Sequence, residues 1–404
     1  MLRRWVPGII SGGADNDPSG IATYAISGAL FGYQQLWLLL LSTPMLIAVQ
    51  AMCARLGDVK REGLMAIIRE HFSPRFAVIA SLILIVTNTA TIGADLSAMS
   101  DAIGLVTNTP YILWLIPVAV FIWYVVVFGN YRTITRYLFF LTFIFLAYVV
   151  SGFLAKPDWL TVFGSIVWPK VELSPSYMAT GLALLGTTIT PYLFFWQTKG
   201  EVEEHKRKSE LMLEAKKEDM IVAPGFLYSN FISFFIIVAT AAVLHKNGAT
   251  TIVNAADAAR AFEPLVGSFA HILFAVGIIG GGLLGVPVLA ASTAYVVAET
   301  FGWRDSLSDK PKHAKEFYAV LTASLLMGLL LANIGVSPMA SLFYSQVLSG
   351  MLAPVLIIMI LVLCNSRKVM GSSVNRPFDN IFGSLAAVVM ILATVGLFVQ
   401  PVVI

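Results

Sequence analysis

Between Ser11 and Gly20 the chain reads Ser-Gly-Gly-Ala-Asp-Asn-Asp-Pro-Ser-Gly, with three glycines, one proline and two carboxylates in ten residues. Such a stretch cannot propagate a regular helix: proline lacks the backbone donor, and glycine gives up the most conformational freedom on ordering. A carboxylate beside backbone carbonyls freed from helical pairing has the makings of a cation site. A second segment repeats the device, since Gly186-Thr187-Thr188-Ile189-Thr190-Pro191-Tyr192 again sets a proline among small hydroxylic residues. Asp17 is the candidate charged ligand. The carbonyls of Ala14 and Thr187 and the Thr190 hydroxyl are the candidate neutral donors. Asp15 lies two residues from Asp17 and would point to a different face of a regular helix. In an unwound segment the two converge on one pocket, which makes Asp15 an auxiliary residue there.

The elements that must position these groups follow from composition. Of the 404 residues 58% are hydrophobic and only 12% charged, about half the charge of a soluble domain, which is roughly 25%. This excludes a disordered chain, a disulfide scaffold and a soluble enzyme, and it requires a polytopic membrane protein. Runs of about 20 apolar residues give eleven expected spans, near 5–32, 36–54, 76–104, 111–129, 137–155, 177–204, 221–244, 266–300, 316–333, 339–364 and 380–400, the first and sixth of them broken. With the N-terminus cytoplasmic, the inside segments hold 22 of the 26 basic residues, leaving Lys156, Lys170, Lys246 and Arg260 outside. That asymmetry orients the N-terminus inside and the C-terminus outside, in a cell membrane. The interrupted start, with Pro7, Gly8, Gly12 and Gly13, argues against a cleaved signal. Cys53 and Cys364 are expected to be reduced packing residues. A net charge of +3 spread over short clusters makes no case for nucleic acid.

The two broken spans open two halves of five spans each. Because five is odd, the second half must insert upside down relative to the first. Interrupted helices at corresponding places of inverted repeats point to a transporter's midplane site. The expected organisation is a first five-span repeat over 1–155, an external loop and the broken sixth helix over 156–198, a linker helix over 199–220, the rest of the second repeat over 221–364, and an eleventh span within 365–404. The linker carries both charge signs at helical spacing and is expected to be a solvated cytoplasmic helix. Inside the spans the acidic residues are Asp15, Asp17, Asp95, Asp101 and Glu299. A charge at mid-membrane costs roughly 2.5–3.5 kcal/mol. Asp101 and Glu299, near span ends, are expected to face water.

These residues resemble the NRAMP family of divalent-metal transporters, and the resemblance covers nearly the whole chain. The first span, from Val6-Pro7-Gly8 through Asp17-Pro18-Ser19-Gly20 to Leu36-Trp37, is similar to the family's opening with its Asp-Pro-Gly-Asn motif. Ser345-Gln346-Val347, Pro354 and Arg367-Lys368-Val369-Met370-Gly371 match the family's tenth helix and its basic close. The resemblance implies an all-α, leucine-transporter-like fold: an inverted 5+5 repeat with discontinuous helices 1 and 6, plus one extra helix. It also implies Gln346 as a ligand, direct or through water. The departures concern the cargo. Gly20 stands where the family has its asparagine. The family's Met-Pro-His reads Thr190-Pro191-Tyr192, Gln197 stands where a second histidine is found, and Asp95-Leu96-Ser97-Ala98 replaces Asp-Leu-Ala-Glu.

Soft sulfur ligands favour transition metals, whereas carboxylate, carbonyl and water favour Mg²⁺, Ca²⁺ and Mn²⁺. With Thr190 in place of methionine, the expected cargo is Mg²⁺, with Mn²⁺ also accepted, as in the NRAMP-related magnesium transporter branch that the chain most resembles. Gly20, Tyr192, Gln197 and Asp95 are expected around the site rather than as its ligands. Asp95 alone remains of the groups that the resemblance assigns to proton coupling, so transport is expected to proceed without protons. Two other readings stand beside this one. The first is a proton-coupled Mn²⁺ or transition-metal importer using Asp15 or Asp95. The second is a sodium-coupled organic-solute symporter on the same fold. No Ser/His/Asp arrangement or metal-hydrolase spacing stands out, so an enzyme is not expected. No cofactor is expected either: the ion is cargo, the bilayer is the surrounding partner, and the chain is expected to act as a monomer.

Overall fold

The structure, a computed structural model, describes residues 12–128, 142–207, 219–248, 252, 255–260, 267, 270–307 and 311–399. Among them every regular element is helical. After a helical turn at 12–14, α1 runs Pro18–Phe31, α2 Leu36–Lys60, α3 Leu64–His71, α4 Pro74–Thr107 and α5 Ile112–Phe128. A short 3₁₀ turn leads into α6 (Leu146–Leu154), then α7 (Trp159–Val167), α8 (Pro175–Thr188), α9 (Pro191–Arg207) and α10 (Asp219–Val243). The chain continues with α11 (Ala255–Ala259), α12 (Ala270–Phe301), α13 (Lys315–Ala332), α14 (Pro338–Asn365), α15 (Arg367–Met370) and α16 (Pro377–Val399).

Eight helical stretches among the described residues are long and apolar enough to cross a membrane, with α8 and α9 counted as one. The expected eleven spans differ in three places. The first is represented by 14-residue α1 beyond its break, and the fourth by α5 with 17 residues. The fifth, expected over 137–155, is described only from residue 142, through a 3₁₀ turn and α6, which meets α7 at 108°; residues 129–141 lie outside the described set. The opening 1–11 and most of the expected linker helix, 208–218, are likewise outside it.

The helices are buried on several sides because they pack on one another around α4, α12 and α14. α4 lies against α12, α13 and α14; α8 lies against α14 and α1; α10 lies against α1 and α2. Both prolines expected to interrupt helices do so in a particular way: Pro18 and Pro191 are the first residues of α1 and α9. At that position the missing N–H would have had no helical partner anyway. At the second break the chain therefore makes two half-helices, α8 and α9, and at the first α1 starts afresh at Pro18.

Two acidic residues depart from expectation. Glu299 does not face water. It is buried at the end of α12, where its carboxylate takes the Lys199 ammonium at 3.1 Å and the backbone N–H groups of Met65 and Ala66 at 3.1 and 3.3 Å. This docks the N-terminus of α3 on α12, and a Cβ on Gly63 would fall 1.7 Å from Glu299 Oε1, so only glycine fits. Lys199 also pairs with Asp305. The residue expected to open a solvated linker is thus a buried cation held by two carboxylates. Asp101 is partly buried and accepts the Ala255 N–H at 3.3 Å, at the start of α11. Cys53 and Cys364 are both buried and unpaired with each other.

Arg55 on α2 and Asp379 on α16 form a second buried pair, 2.7 Å apart, with the Asn375 oxygen also on Arg55 at 3.1 Å. Removing one member of such a pair leaves an uncompensated charge. Asp379→Ala should therefore lower stability by roughly 3–5 kcal/mol, read as a drop in thermal unfolding temperature in detergent. Arg55→Met combined with Asp379→Ala should recover most of it. A single variant as stable as its parent would mean that the pair does not hold α16 in place.

Candidate metal site

The first break is held by side chains. Asp17 caps its own helix, accepting the Gly20 N–H on Oδ1 at 2.7 Å. Asp95, reaching in from the middle of α4, accepts both the Ser19 N–H at 3.1 Å and the Ser19 hydroxyl at 2.6 Å. Two carboxylates thus meet one helix N-terminus, where the unpaired N–H groups and the helix dipole favour negative charge. Asp15 points the other way: the Ser229 hydroxyl of α10 donates to its Oδ2 at 2.6 Å. Asn16 Nδ2 donates to the same Ser229 oxygen at 3.0 Å.

Two hydrogen bonds join the first break to the second. The Tyr192 hydroxyl donates to the Ala14 carbonyl at 2.8 Å and lies 3.5 Å from Asp17 Oδ2. The Tyr24 hydroxyl lies 3.1 Å from Thr188 Oγ1. Tyr192, expected only near the site, is therefore the side chain that connects Ala14 with Asp17. One lone pair of the Ala14 carbonyl is occupied by it, leaving the other as a possible donor to a cation. Thr190 is buried within the second break, immediately before Pro191.

Gly20 lets oxygens approach closely. A Cβ placed there would meet, nearest first, Thr187 Oγ1 at 2.9 Å, the Asp15 carbonyl oxygen at 3.1 Å and Asp17 Oδ1 at 3.4 Å. All three neighbours are oxygens. Thr187 faces Gly20 with its hydroxyl, where the sequence suggested its carbonyl. Gln346 on α14 is buried; its Nε2 donates to Ser345 Oγ at 3.3 Å, and its Oε1 has no partner. Asp95 Oδ2 and Asp15 Oδ1 are also buried without partners. Among the described residues no three His, Cys, Asp or Glu side chains gather into a metal cage. Gln197 lies roughly 9 Å along α9 from Pro191 at 1.5 Å per residue, with its Nε2 on Glu201 at 3.0 Å.

Several contributors were not singled out by sequence reasoning. Ser19, Asn16, Tyr24 and Ser229 carried no signal by type. Gly281 and Gly285 did, because glycines four apart in an apolar helix let another backbone approach closely. A Cβ on Gly281 would lie 2.8 Å from the Asn16 carbonyl oxygen, and one on Gly285 2.6 Å from Asp17 Cβ. α12 is thus pressed against the break that presents Asp17.

Residues 8–400 match the family described as natural resistance-associated macrophage protein-like, Nramp. The chain belongs to the Nramp family. Its Nramp relatives include the divalent metal cation transporter MntH of Caldanaerobacter subterraneus subsp. tengcongensis, 26% identical over 411 residues and covering 97% of this chain and 92% of the relative. MntH of Deinococcus radiodurans is 27% identical over 405 residues, covering 95% and 87%. Among solved structures, the manganese transporter of Eremococcus coleocola has a TM-score of 0.75 at 19% identity, covering 97% of this chain and 85% of that one. Mhp1, a nucleobase-cation-symport-1 family transporter, has a TM-score of 0.63 at 14% identity, covering 98% and 93%. At such identities the structural likeness is one of fold. That fold is the leucine-transporter-like architecture with broken first and sixth helices. As an Nramp member the chain is a membrane transporter and not an enzyme.

The close approach at Gly285 gives a test of how tightly Asp17 is positioned. Gly285→Ala should push Asp17 aside and lower ion uptake about tenfold, the consequence of overpacking a filled site. Gly280→Ala, whose Cβ would meet nothing nearer than Ile144 Cδ1 at 3.5 Å, should leave uptake close to the parent's in the same flux assay.

Proposed function

We propose that this Nramp transporter imports divalent metal ions by alternating access at the paired breaks, with Mg²⁺ preferred and Mn²⁺ also carried. The observation that carries the reading is the set of oxygens gathered at the first break: the three atoms nearest the Gly20 Cβ position are the Thr187 hydroxyl, the Asp15 carbonyl and the Asp17 carboxylate. Oxygen donors suit hard cations. Mg²⁺ in particular sheds water reluctantly and is bound by one or two carboxylates with several waters retained. Gln346 Oε1, buried and unpartnered, suits a further ligand. The names of the MntH relatives support a divalent cargo. The preference for Mg²⁺ rests on this chain's own Thr190, a hydroxyl where the resemblance implies a thioether.

Transport is proposed to run without protons, on the ion gradient and the membrane potential. A divalent ion gains roughly 4.6 kcal/mol per 100 mV when the inside is negative. The cytoplasmic N-terminus and external C-terminus follow from the Lys and Arg distribution, and the working unit is a monomer. A second reading, a proton-coupled manganese importer, is favoured by one observation: Asp95 Oδ2 and Asp15 Oδ1 are buried acceptors without donors. A proton on either would remove a buried negative charge.

Proteoliposomes with a Mg²⁺-sensitive dye inside, a negative potential and a parallel record of internal pH separate the two readings. Mg²⁺ should enter without acidification; acidification with Mn²⁺ and no Mg²⁺ entry would establish the second reading. In that assay Asp17→Ala should abolish uptake. Asp95→Asn should retain most of it, because an amide oxygen still accepts from Ser19. Thr190→Met should shift selectivity toward Mn²⁺, and unchanged selectivity would remove the ligand argument.

A further inference from the structure

Away from the breaks, a cavity of about 590 Å³ lies where the C-terminal end of α1, the 156–170 segment and the end of α10 meet. Its walls hold Lys156, Lys170 and Lys246, which are three of the four basic residues expected on the external face. One carboxylate, Asp158, shares the lining, so three ammonium groups against one carboxylate leave two net positive charges. Such a cluster repels a divalent cation, and its concentration in one pocket needs a different partner. The Thr161 and Ser165 hydroxyls, also in the wall, donate to Asp158 Oδ2 at 2.6 Å and to the Thr161 carbonyl at 2.8 Å, so the three ammonium groups are the donors left for an anion.

α7 says where the partner comes from. It turns 108° from the preceding helix, so if that helix crosses the bilayer, α7 runs along its surface. Its residues separate into three faces at 100° per residue. Val162 is buried and points into the protein. Thr161, Gly164, Ser165 and the following Trp168 line the pocket. Leu160, Phe163 and Val167 form the third face and are 86, 57 and 65% exposed. An apolar face left open on a surface helix is what enters the headgroup and acyl boundary, and Trp168, 80% exposed, is a residue type enriched at that level. The basic pocket and the apolar face share one edge of the helix.

We propose that this pocket binds the phosphate headgroup of an anionic phospholipid from the outer leaflet, with the acyl chains lying along Leu160, Phe163 and Val167. A free phosphate would use the lysines but leave the apolar face uncovered, so the lipid accounts for both features. Purified protein passed through phosphatidylcholine vesicles with and without phosphatidylglycerol, then examined by native mass spectrometry, tests this. The parent should retain phosphatidylglycerol over phosphatidylcholine. Retention should fall roughly fivefold per lysine removed, about a hundredfold in K156Q/K170Q/K246Q, on the scale of basic residues at anionic surfaces. Asp158→Asn should raise it, a change in the opposite direction that misfolding cannot mimic. Equal retention of the two lipids, or an unaffected triple variant, overturns the proposal. Binding of inorganic phosphate to the same lysines without lipid preference would assign the site to a free anion and overturn it as well.

Discussion

A helix that starts in a buried interior has N–H groups that neither water nor a preceding turn can satisfy, and α1 starts that way, with Pro18, Ser19 and Gly20 all buried. Asp17 and Asp95 resolve this together, one on the Gly20 N–H and the other on the Ser19 N–H and hydroxyl. The rest of the site depends on this arrangement. It fixes one oxygen of Asp17 and leaves the other toward Tyr192 on the opposite broken helix. It also ties α4 to α1 at the depth where the two breaks face each other. Two carboxylates on one helix end are tolerable because the local dipole offsets part of their charge. A cation arriving there would offset more, which couples holding the fold to holding the cargo.

Small residues make the arrangement possible. Gly285 and Gly281 let α12 lie against Asp17 and the Asn16 carbonyl, where any side chain would intrude. Gly186 plays a similar part on α8, since a Cβ there would fall 2.1 Å from the Gln346 carbonyl oxygen. That contact sets α14, and with it the unpartnered Gln346 Oε1, beside the second break. Close backbone packing thus positions oxygen donors that carry little charge beside the two carboxylates, Asp17 and Asp95, that meet the start of α1.

Charge is arranged differently away from the breaks. The Lys199–Glu299–Asp305 group locks the middle of α9 to the end of α12 and to the start of α3, and Arg55–Asp379 locks α2 to α16. Lys199, Glu299, Arg55 and Asp379 are buried, so they are held by geometry and hydrogen bonds that replace lost hydration. The lysines of the other face are exposed around an open pocket. One set of cations is therefore structural, and the other is available to a ligand.

Much of this was legible in the residues. Hydropathy located the long helices, because each must bury its own backbone hydrogen bonds over a fixed thickness. Pro18 and Pro191 marked both breaks, because proline cannot continue a helix from within. Gly281 and Gly285 were visible as a spacing and went unread. What the sequence by itself determined was the helical membrane architecture, the two interruptions and the presence of Asp17 at one of them. Only the tertiary structure decided which donor each carboxylate meets, that Glu299 and Lys199 are buried together, that Gln197 lies away from the break, and that Tyr192 bridges Ala14 and Asp17. The reason is physical. Span length and helix interruption are local consequences of solvation and backbone chemistry, whereas a hydrogen bond between residues 76 or 178 positions apart exists only after helices have packed.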